Sequence, residues 1–190
     1  MSSLSIVSFN IQYSLGADNQ YDIARSIEPI RDADIICLQE IDRNWRRTNM
    51  DDQVIQIQEL LPDRHSVFGP SLDVDARPYL QEGTATNTRR QCGLMVLSRF
   101  PIASSRVIHL PKDDTGTGMN LWSIALETVI VAPEKSIRVI NLHLTDVTET
   151  SNELYRFAIT EDISFTLTNI EDGSSPACVR NDEFTTATVS

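Results

Sequence analysis

Asp34-Ile-Ile-Cys-Leu-Gln-Glu-Ile-Asp42 is the stretch on which the reading of the fold turns. Residues 35–38 are apolar on both faces of an extended segment, as a strand covered on each side requires, and the run then ends on the polar pair Gln39-Glu40. Upstream, Leu4-Ser-Ile-Val-Ser-Phe9 reads the same way and ends at Asn10. Between the two, Asp18-Asn19 offers a cap to a helix with Ile23, Ile27 and Ile30 at helical spacing, which Pro29 kinks or ends early. Strand, helix and strand in this order form a right-handed parallel crossover in nearly all proteins. Asn10 and Glu40 are therefore expected at the same edge of one sheet.

Working outward, Val54, Ile57 and Leu61 give residues 51–61 a helical face, closed by Pro62. A short strand is expected near 65–68. The polar stretch 70–91 has no clear period and reads as a surface loop. Residues 93–98 form a third buried strand, and 101–110 and 121–131 read as strands joined by the polar turn 112–118. Gly116 and Gly118 in that turn lack the strand-to-helix setting of a phosphate loop. Residues 136–145 alternate, with Arg138, Ile140, Leu142 and Leu144 on one face and Ile137, Val139, Asn141 and His143 on the other. Leu154, Phe157, Ala158 and Phe165 suggest a helix over 151–167, and 176–179 is short and strand-like. The alternation of strands and helices gives a mixed α/β sheet in a single domain over 1–190, with about 169–190 as a divergent tail.

A chain of 190 residues, 41% hydrophobic and 23% charged, suits one globular domain. Its apolar runs are far shorter than the roughly 20 residues of a membrane-spanning helix, and no basic, long apolar leader opens it. A cytoplasmic protein without a transmembrane segment is expected, with the monomer as its state. Cys37, Cys92 and Cys178 stand singly among apolar residues, so they read as reduced packing residues. The net charge of -11 repels nucleic acid at long range and removes the broad basic footprint of a dedicated nucleic-acid binder. Phosphate binding through a metal is still compatible with it.

Three strands thus finish on Asn10, Glu40 and His143. Ligands of open α/β sheets bind outside the carboxyl ends of the strands, where these side chains point. Glu40 offers carboxylate oxygens of the kind that hold Mg²⁺, with water and substrate oxygens completing the shell. Asn10 offers an amide to orient that water or a phosphoryl oxygen, and His143 a hydrogen bond to a non-bridging phosphate oxygen as charge develops there. Each residue also has a plainer reading: an asparagine capping a turn, a solvated glutamate at a strand end, a hydrogen-bonded core histidine. Arg43, Arg46, Arg47, Arg89 and Arg90 read either as a phosphate-binding rim or, with more weight, as solvated loop charges. Trp45 and Trp122 read as packing residues, with Trp45 close enough to Glu40 to line a substrate mouth.

Ser8-Phe-Asn-Ile11, the 34–42 stretch, Gly93-Leu-Met-Val-Leu-Ser-Arg-Phe-Pro-Ile102 and Asn141-Leu-His-Leu144 resemble, in order, four landmarks of the endonuclease/exonuclease/phosphatase superfamily of metal-dependent phosphoester hydrolases. The resemblance implies a mixed β-sheet sandwich flanked by helices. It places Mg²⁺ or Mn²⁺ at Glu40 and Asn10, and makes Asn10 and His143 catalytic groups on the phosphate side of a phosphoester substrate. The family completes its site with a Gly-Asp-x-Asn segment and a terminal Ser-Asp-His segment. Pro176-Ala-Cys-Val-Arg-Asn-Asp-Glu-Phe-Thr185 stands where the first is expected, with Asp182 in register as a further catalytic residue; the second is absent. The fold is accordingly expected to be incomplete at its C-terminus. Two functions follow as alternatives: a Mg-dependent hydrolase of phosphoester bonds, of the phosphodiesterase, endonuclease or phosphatase class, or a non-catalytic remnant that keeps part of the fold.

Overall fold

The computed structural model describes residues 4–76, 88–109 and 124–143 with their side chains, and 166–169 and 185–189 as backbone. Strand β1 (Leu4–Asn10) leads through a short left-handed turn to helix α1 (Ile23–Ile27) and on to strand β2 (Ile35–Arg43). Helix α2 (Gln53–Leu60) and strands β3 (His65–Asp75) and β4 (Arg89–Ser98) follow. Strands β5 (Ile102–His109), β6 (Ile124–Val131) and β7 (Ser136–His143) come next, then β8 (Thr166–Asn169) and β9 (Thr185–Val189). One sheet has the order β3-β4-β2-β1-β9-β8 and the other β5-β6-β7.

The crossover expected from the sequence is present: β1 and β2 are parallel, in a register that runs from Ile6 opposite Ile35 to Asn10 opposite Gln39. The period of two along β2 then assigns its two faces. Ile36 and Leu38 join Met95 and Leu97 of β4 beneath the helices, in a core with Ile27, Ile30, Val54, Ile57 and Leu61. Ile35 and Cys37 point the other way and meet Leu94, Val96, Ile124, Leu126 and Ile130 between the two sheets. Both faces are covered, which is why the run 35–38 contains no polar residue. The result is a mixed-sheet sandwich with helices on one outer face.

Helix α2 has the face read from its sequence, with Val54, Ile57 and Leu61 buried and Ile55 exposed. Asp52 caps it by accepting from Ile55 N. Helix α1 differs from expectation. Its cap is Asp22, which accepts from Arg25 N, and Asp18 instead holds the preceding turn through Gln20 N and the Arg25 guanidinium. Pro29 stands in the 3-10 turn Glu28–Ile30 that ends the helix, in keeping with its fixed φ and missing donor.

Two further expectations are corrected. The surface loop placed at 70–91 is strand at both ends, because β3 continues to Asp75 and pairs with Arg89 of β4. Pro70 masked this in the sequence; it sits at a bulge between Pro70 and Leu72, where proline is tolerated. The helix expected over 151–167 is contradicted at its end, where Thr166 and Leu167 belong to β8, and 151–165 lies outside the described residues. Within the tail placed at about 169–190, the β-branched run Thr185–Val189 pairs antiparallel with β1 and covers its open edge. The short strand read at 176–179 lies outside the described residues.

Gly93 marks the level at which the central strands deform. It stands opposite Ile41 of β2 and Pro70 of β3, and both neighbouring strands bulge beside it. A Cβ built on Gly93 would run into the Gly69 carbonyl oxygen and lie 2.7 Å from the Pro70 Cα. These are backbone atoms that no rotamer change can move. Gly93→Ala should therefore destabilise the fold by at least roughly 1–3 kcal/mol, the usual cost of overpacking. Urea unfolding at an unchanged m-value measures it; a neutral result would mean that β3 does not press on β4 at this point.

Candidate active site

The bulge in β2 falls between Leu38 and Ile41, where Gln39 and Glu40 together stand against the single residue Leu94 of β4. Glu40 has φ 59°, a left-handed conformation that costs a non-glycine residue roughly 1–2 kcal/mol. Such strain persists where the surroundings over-determine it. Here they do so through two side chains from other strands. Asn10 Nδ2 donates to Glu40 Oε1 at 3.0 Å, and His143 Nε2 lies 3.4 Å from the same oxygen. Burial by itself would raise the pKa of Glu40; the interactions with His143 and Asn10, with a smaller one from Tyr13, outweigh it and hold the carboxyl below its ordinary value. Burial and the charge of Glu40 push Tyr13 in the opposite direction, well above its usual value, so its hydroxyl stays protonated.

Asn10 and His143, the last residues of β1 and β7, thus come together with Glu40, which is not the strand end expected from the sequence: β2 runs on to Arg43, and Glu40 sits at the bulge just beyond the pairing with β1. Asn10 closes a turn, as its plainer reading requires, and also contacts Glu40. Its Oδ1 accepts from Gln12 N at 3.0 Å, closing a turn, which leaves Nδ2 aimed at Glu40. The turn is unusual: Gln12, Tyr13 and Ser14 have φ of 47°, 56° and 64°. Three successive left-handed residues carry Tyr13 back over the end of β2. Nothing in the sequence signalled this, because no glycine marks the turn.

The same bulge interrupts the ladder beside Leu38 and Met95, and Asn141 answers for it. Asn141 Nδ2 donates to Leu38 O at 2.9 Å and to Met95 O at 3.1 Å, while its Oδ1 accepts from Gln39 Nε2 at 2.6 Å. Gln39 also reaches Ser8 Oγ at 3.1 Å. Both amides are buried, and they bridge the two sheets. In the sequence Gln39 and Asn141 stand out only as neighbours of Glu40 and His143; the alternation of β7, which puts Asn141 and His143 on one face, is the usable signal.

The arginines after Glu40 are mostly engaged in structural pairs. Arg47 makes a bidentate pair with the fully buried Asp42, at 2.6 and 2.8 Å, and Arg43 pairs with Asp52 and with Gln91. Arg89 pairs with Asp73 across the strands. Arg47 and Arg90 both lie over the Trp45 ring, at 4.4 and 4.8 Å from its centroid, and Trp45 Nε1 donates to Gln91 O. Trp45 is therefore a packing residue of this loop.

Cys37 and Cys92 are buried free thiols, as read from the sequence, and burial pushes Cys37 up to about 12. Trp122, Cys178, Gly116, Gly118 and Asp182 lie outside the described residues. Of the other histidines, His65 is at the opposite end of the large sheet, opposite Ser98. His109 shares the site's end of the small sheet, where it pairs with Ile124, which in turn pairs with His143. Among the described residues no helix is long and apolar enough to cross a membrane.

The fold is a two-sheet sandwich in which a strained glutamate at a bulge in a central strand is flanked by an asparagine and a histidine from the ends of two other strands. The chain belongs to the Endonuclease/Exonuclease/phosphatase family, whose sequence profile matches residues 7–132. Among solved structures it is similar to an endonuclease/exonuclease/phosphatase from Beutenbergia cavernae DSM 12333, with 18% identity and a TM-score of 0.64 over 94% of this chain and 51% of that one. It is also similar to a family protein from Leptotrichia buccalis C-1013-b, with 12% identity and a TM-score of 0.54 over 96% and 87% of the two chains. A truncated Caenorhabditis elegans TDP2 matches at 11% identity and a TM-score of 0.50, over 97% and 84%. The chain spans about half the length of the Beutenbergia protein. No curated protein sequence matches it.

Asn141→Asp keeps the shape of the side chain but replaces two donors with a carboxylate oxygen facing the Leu38 and Met95 carbonyls. Leaving buried carbonyls unpaired beside a buried charge should destabilise the protein by on the order of 3 kcal/mol. Thermal and urea melts at neutral pH measure this loss. Equal stability of the variant would show that the amide bridge between the sheets is not formed.

Proposed function

We propose that this chain hydrolyses phosphoester bonds with a divalent cation, Mg²⁺ or Mn²⁺, held at Glu40. The observation that carries the reading is the convergence of Asn10 and His143 on one oxygen of an ionised, strained glutamate at a strand bulge. Membership of the family supports the hydrolase class. The donor chemistry fits the ion: among the described residues there is no cluster of three or more His, Cys, Asp or Glu, such as a zinc site would need. A single carboxylate beside amide and phenol groups suits a hard cation that keeps most of its water and takes its other ligands from substrate phosphate. Glu40 would hold the ion, with Asn10 beside it.

When bound there, the cation supplies positive charge to the phosphoryl oxygens and a more acidic water. The protein's own groups do the rest. Asn10 Nδ2, released from Glu40, orients a phosphoryl oxygen or a water. His143 Nε2 donates a hydrogen bond to a non-bridging oxygen as negative charge builds on it. Asp182, in register with the family's Gly-Asp-x-Asn segment, is proposed to assist. The acidic surface favours compact phosphoesters over extended polyanions, since a net charge of -11 opposes the approach of a long nucleic acid.

Titration of the metal-free protein with Mn²⁺ in a calorimeter tests the reading at its base. The wild-type chain should bind weakly but measurably, and Glu40→Gln should abolish the heat, because the amide keeps the shape and removes the charge. Any hydrolysis of a generic aryl phosphodiester should vanish on chelation and in the same variant. Equal Mn²⁺ binding by wild type and Glu40→Gln would sink the proposal.

A further inference from the structure

His109 and His143 stand in one cross-strand row. His109, the last residue of β5, is opposite Ile124, the first residue of β6, and Ile124 is opposite His143, the last residue of β7. Residues directly opposite in an antiparallel ladder project to the same face. Ile124 faces the core between the sheets and is 1% exposed, so both imidazoles leave their strands on that inner face. Consistently, His143 meets Glu40 of the facing sheet, and Val107, two residues before His109, packs against the same core.

The two histidines are used differently. His143 Nε2 lies 3.4 Å from the Glu40 oxygen that Asn10 also touches, so it belongs to the cation's side of the site. His109 is exposed and has no hydrogen-bond or ion-pair partner among the described residues. Their strands are two spacings apart, roughly 10 Å. A phosphoryl group held by the cation lies at the His143 end of this row. Whatever reaches His109 lies across Ile124, on the far side of the ester bond.

The surroundings of His109 select the chemistry of that far group. An imidazole offers an N–H in either neutral tautomer and a positive charge when protonated. Strand β5 lies over β3, where a Cβ built on Gly69 would meet Val107 Cγ2, and β3 is paired with β4. Arg90 of β4 is on the inner face as well, because Leu94 and Val96 of the same strand lie in the core between the sheets. Its guanidinium is 4.8 Å from the Trp45 ring centroid. Among the described residues no carboxylate of β3 or β4 shares that face: Asp73 and Asp75 alternate to the other side of β3, where Asp73 pairs with Arg89. This corner therefore favours an anion.

We propose that His109 is a specificity-determining residue that receives a second phosphate on the leaving-group side of the substrate, so that the site prefers small phosphoesters carrying two phosphates to simple monophosphate esters. This rests on the assignment of the cation to Glu40 made above.

The chain has three histidines, His65, His109 and His143, so their imidazole C2 proton signals can be assigned by single substitutions. In the presence of Mg²⁺, propane-1,3-diyl bisphosphate should shift the signals of both His109 and His143. The ligand 3-hydroxypropyl phosphate has the same carbon chain and one phosphate, and should shift His143 without His109. The bisphosphate should bind roughly 10-fold or more tightly than the monophosphate, the factor that one hydrogen bond to a charged group supplies. His109→Ala should bring the bisphosphate to the affinity of the monophosphate and leave monophosphate affinity, Mn²⁺ affinity and melting temperature at wild-type values. Equal affinity of the wild type for the two ligands overturns the proposal, as does a preference that survives His109→Ala. Failure of both ligands to bind overturns it too. Whether the cation assignment fails with it is separable, since that shows as equal Mn²⁺ binding by wild type and Glu40→Gln with His109 untouched.

Discussion

The bulge that sets Glu40 at φ 59° between Leu38 and Ile41 is the constraint on which the rest of the site depends. A regular strand would send successive side chains to alternate faces, into the helix-side core or into the space between the sheets. Glu40 can enter neither as a charge. The bulge turns it out of both, and the neighbouring strands accommodate the break: β4 with a glycine at position 93, β3 with a bulge of its own at Pro70. The carbonyls of Leu38 and Met95, left beside the interruption, are satisfied by Asn141 from the opposite sheet.

That last interaction also joins the two sheets in one register. Apolar packing between Ile35, Cys37, Leu94 and Val96 on one side and Ile124, Leu126 and Ile130 on the other is non-directional and tolerates sliding. The Gln39–Asn141 pair does not tolerate it, since a buried amide displaced by one residue loses its partners. Because Asn141 and His143 lie on the same face of β7, the hydrogen bonds that lock the sheets also place the imidazole against Glu40. Stability and site geometry are here the same set of contacts.

The arginines show how local charge is used inside an acidic protein. Several of them follow Glu40 closely, yet Arg43 and Arg47 turn back onto Asp52 and Asp42 and hold the loop that borders the site. The Asp42–Arg47 pair is the more consequential, because Asp42 is wholly buried and removing either partner would leave the other uncompensated.

Much of this was determined by the sequence alone. The apolar runs before Asn10 and Gln39, with a helix between them, specified two parallel strands, since such a crossover is parallel in nearly all proteins, and the alternation of 136–143 put Asn141 and His143 on one side of their strand. The ordered motifs pointed to the family, and the profile over 7–132 bears that out. Local patterns could not reveal the extension of β3 through Pro70, the pairing of Thr185–Val189 with β1, or Asp22 in place of Asp18 as a helix cap. Bulges and edge pairings are decided by the partner strand, and two aspartates four residues apart offer the same cap chemistry until packing chooses between them. The placement of Tyr13 was invisible for a related reason. Its left-handed turn is unfavourable by local propensity, and contacts from Arg47 and Gln53, 34 and 40 positions away in the chain, hold it once the fold has brought them together.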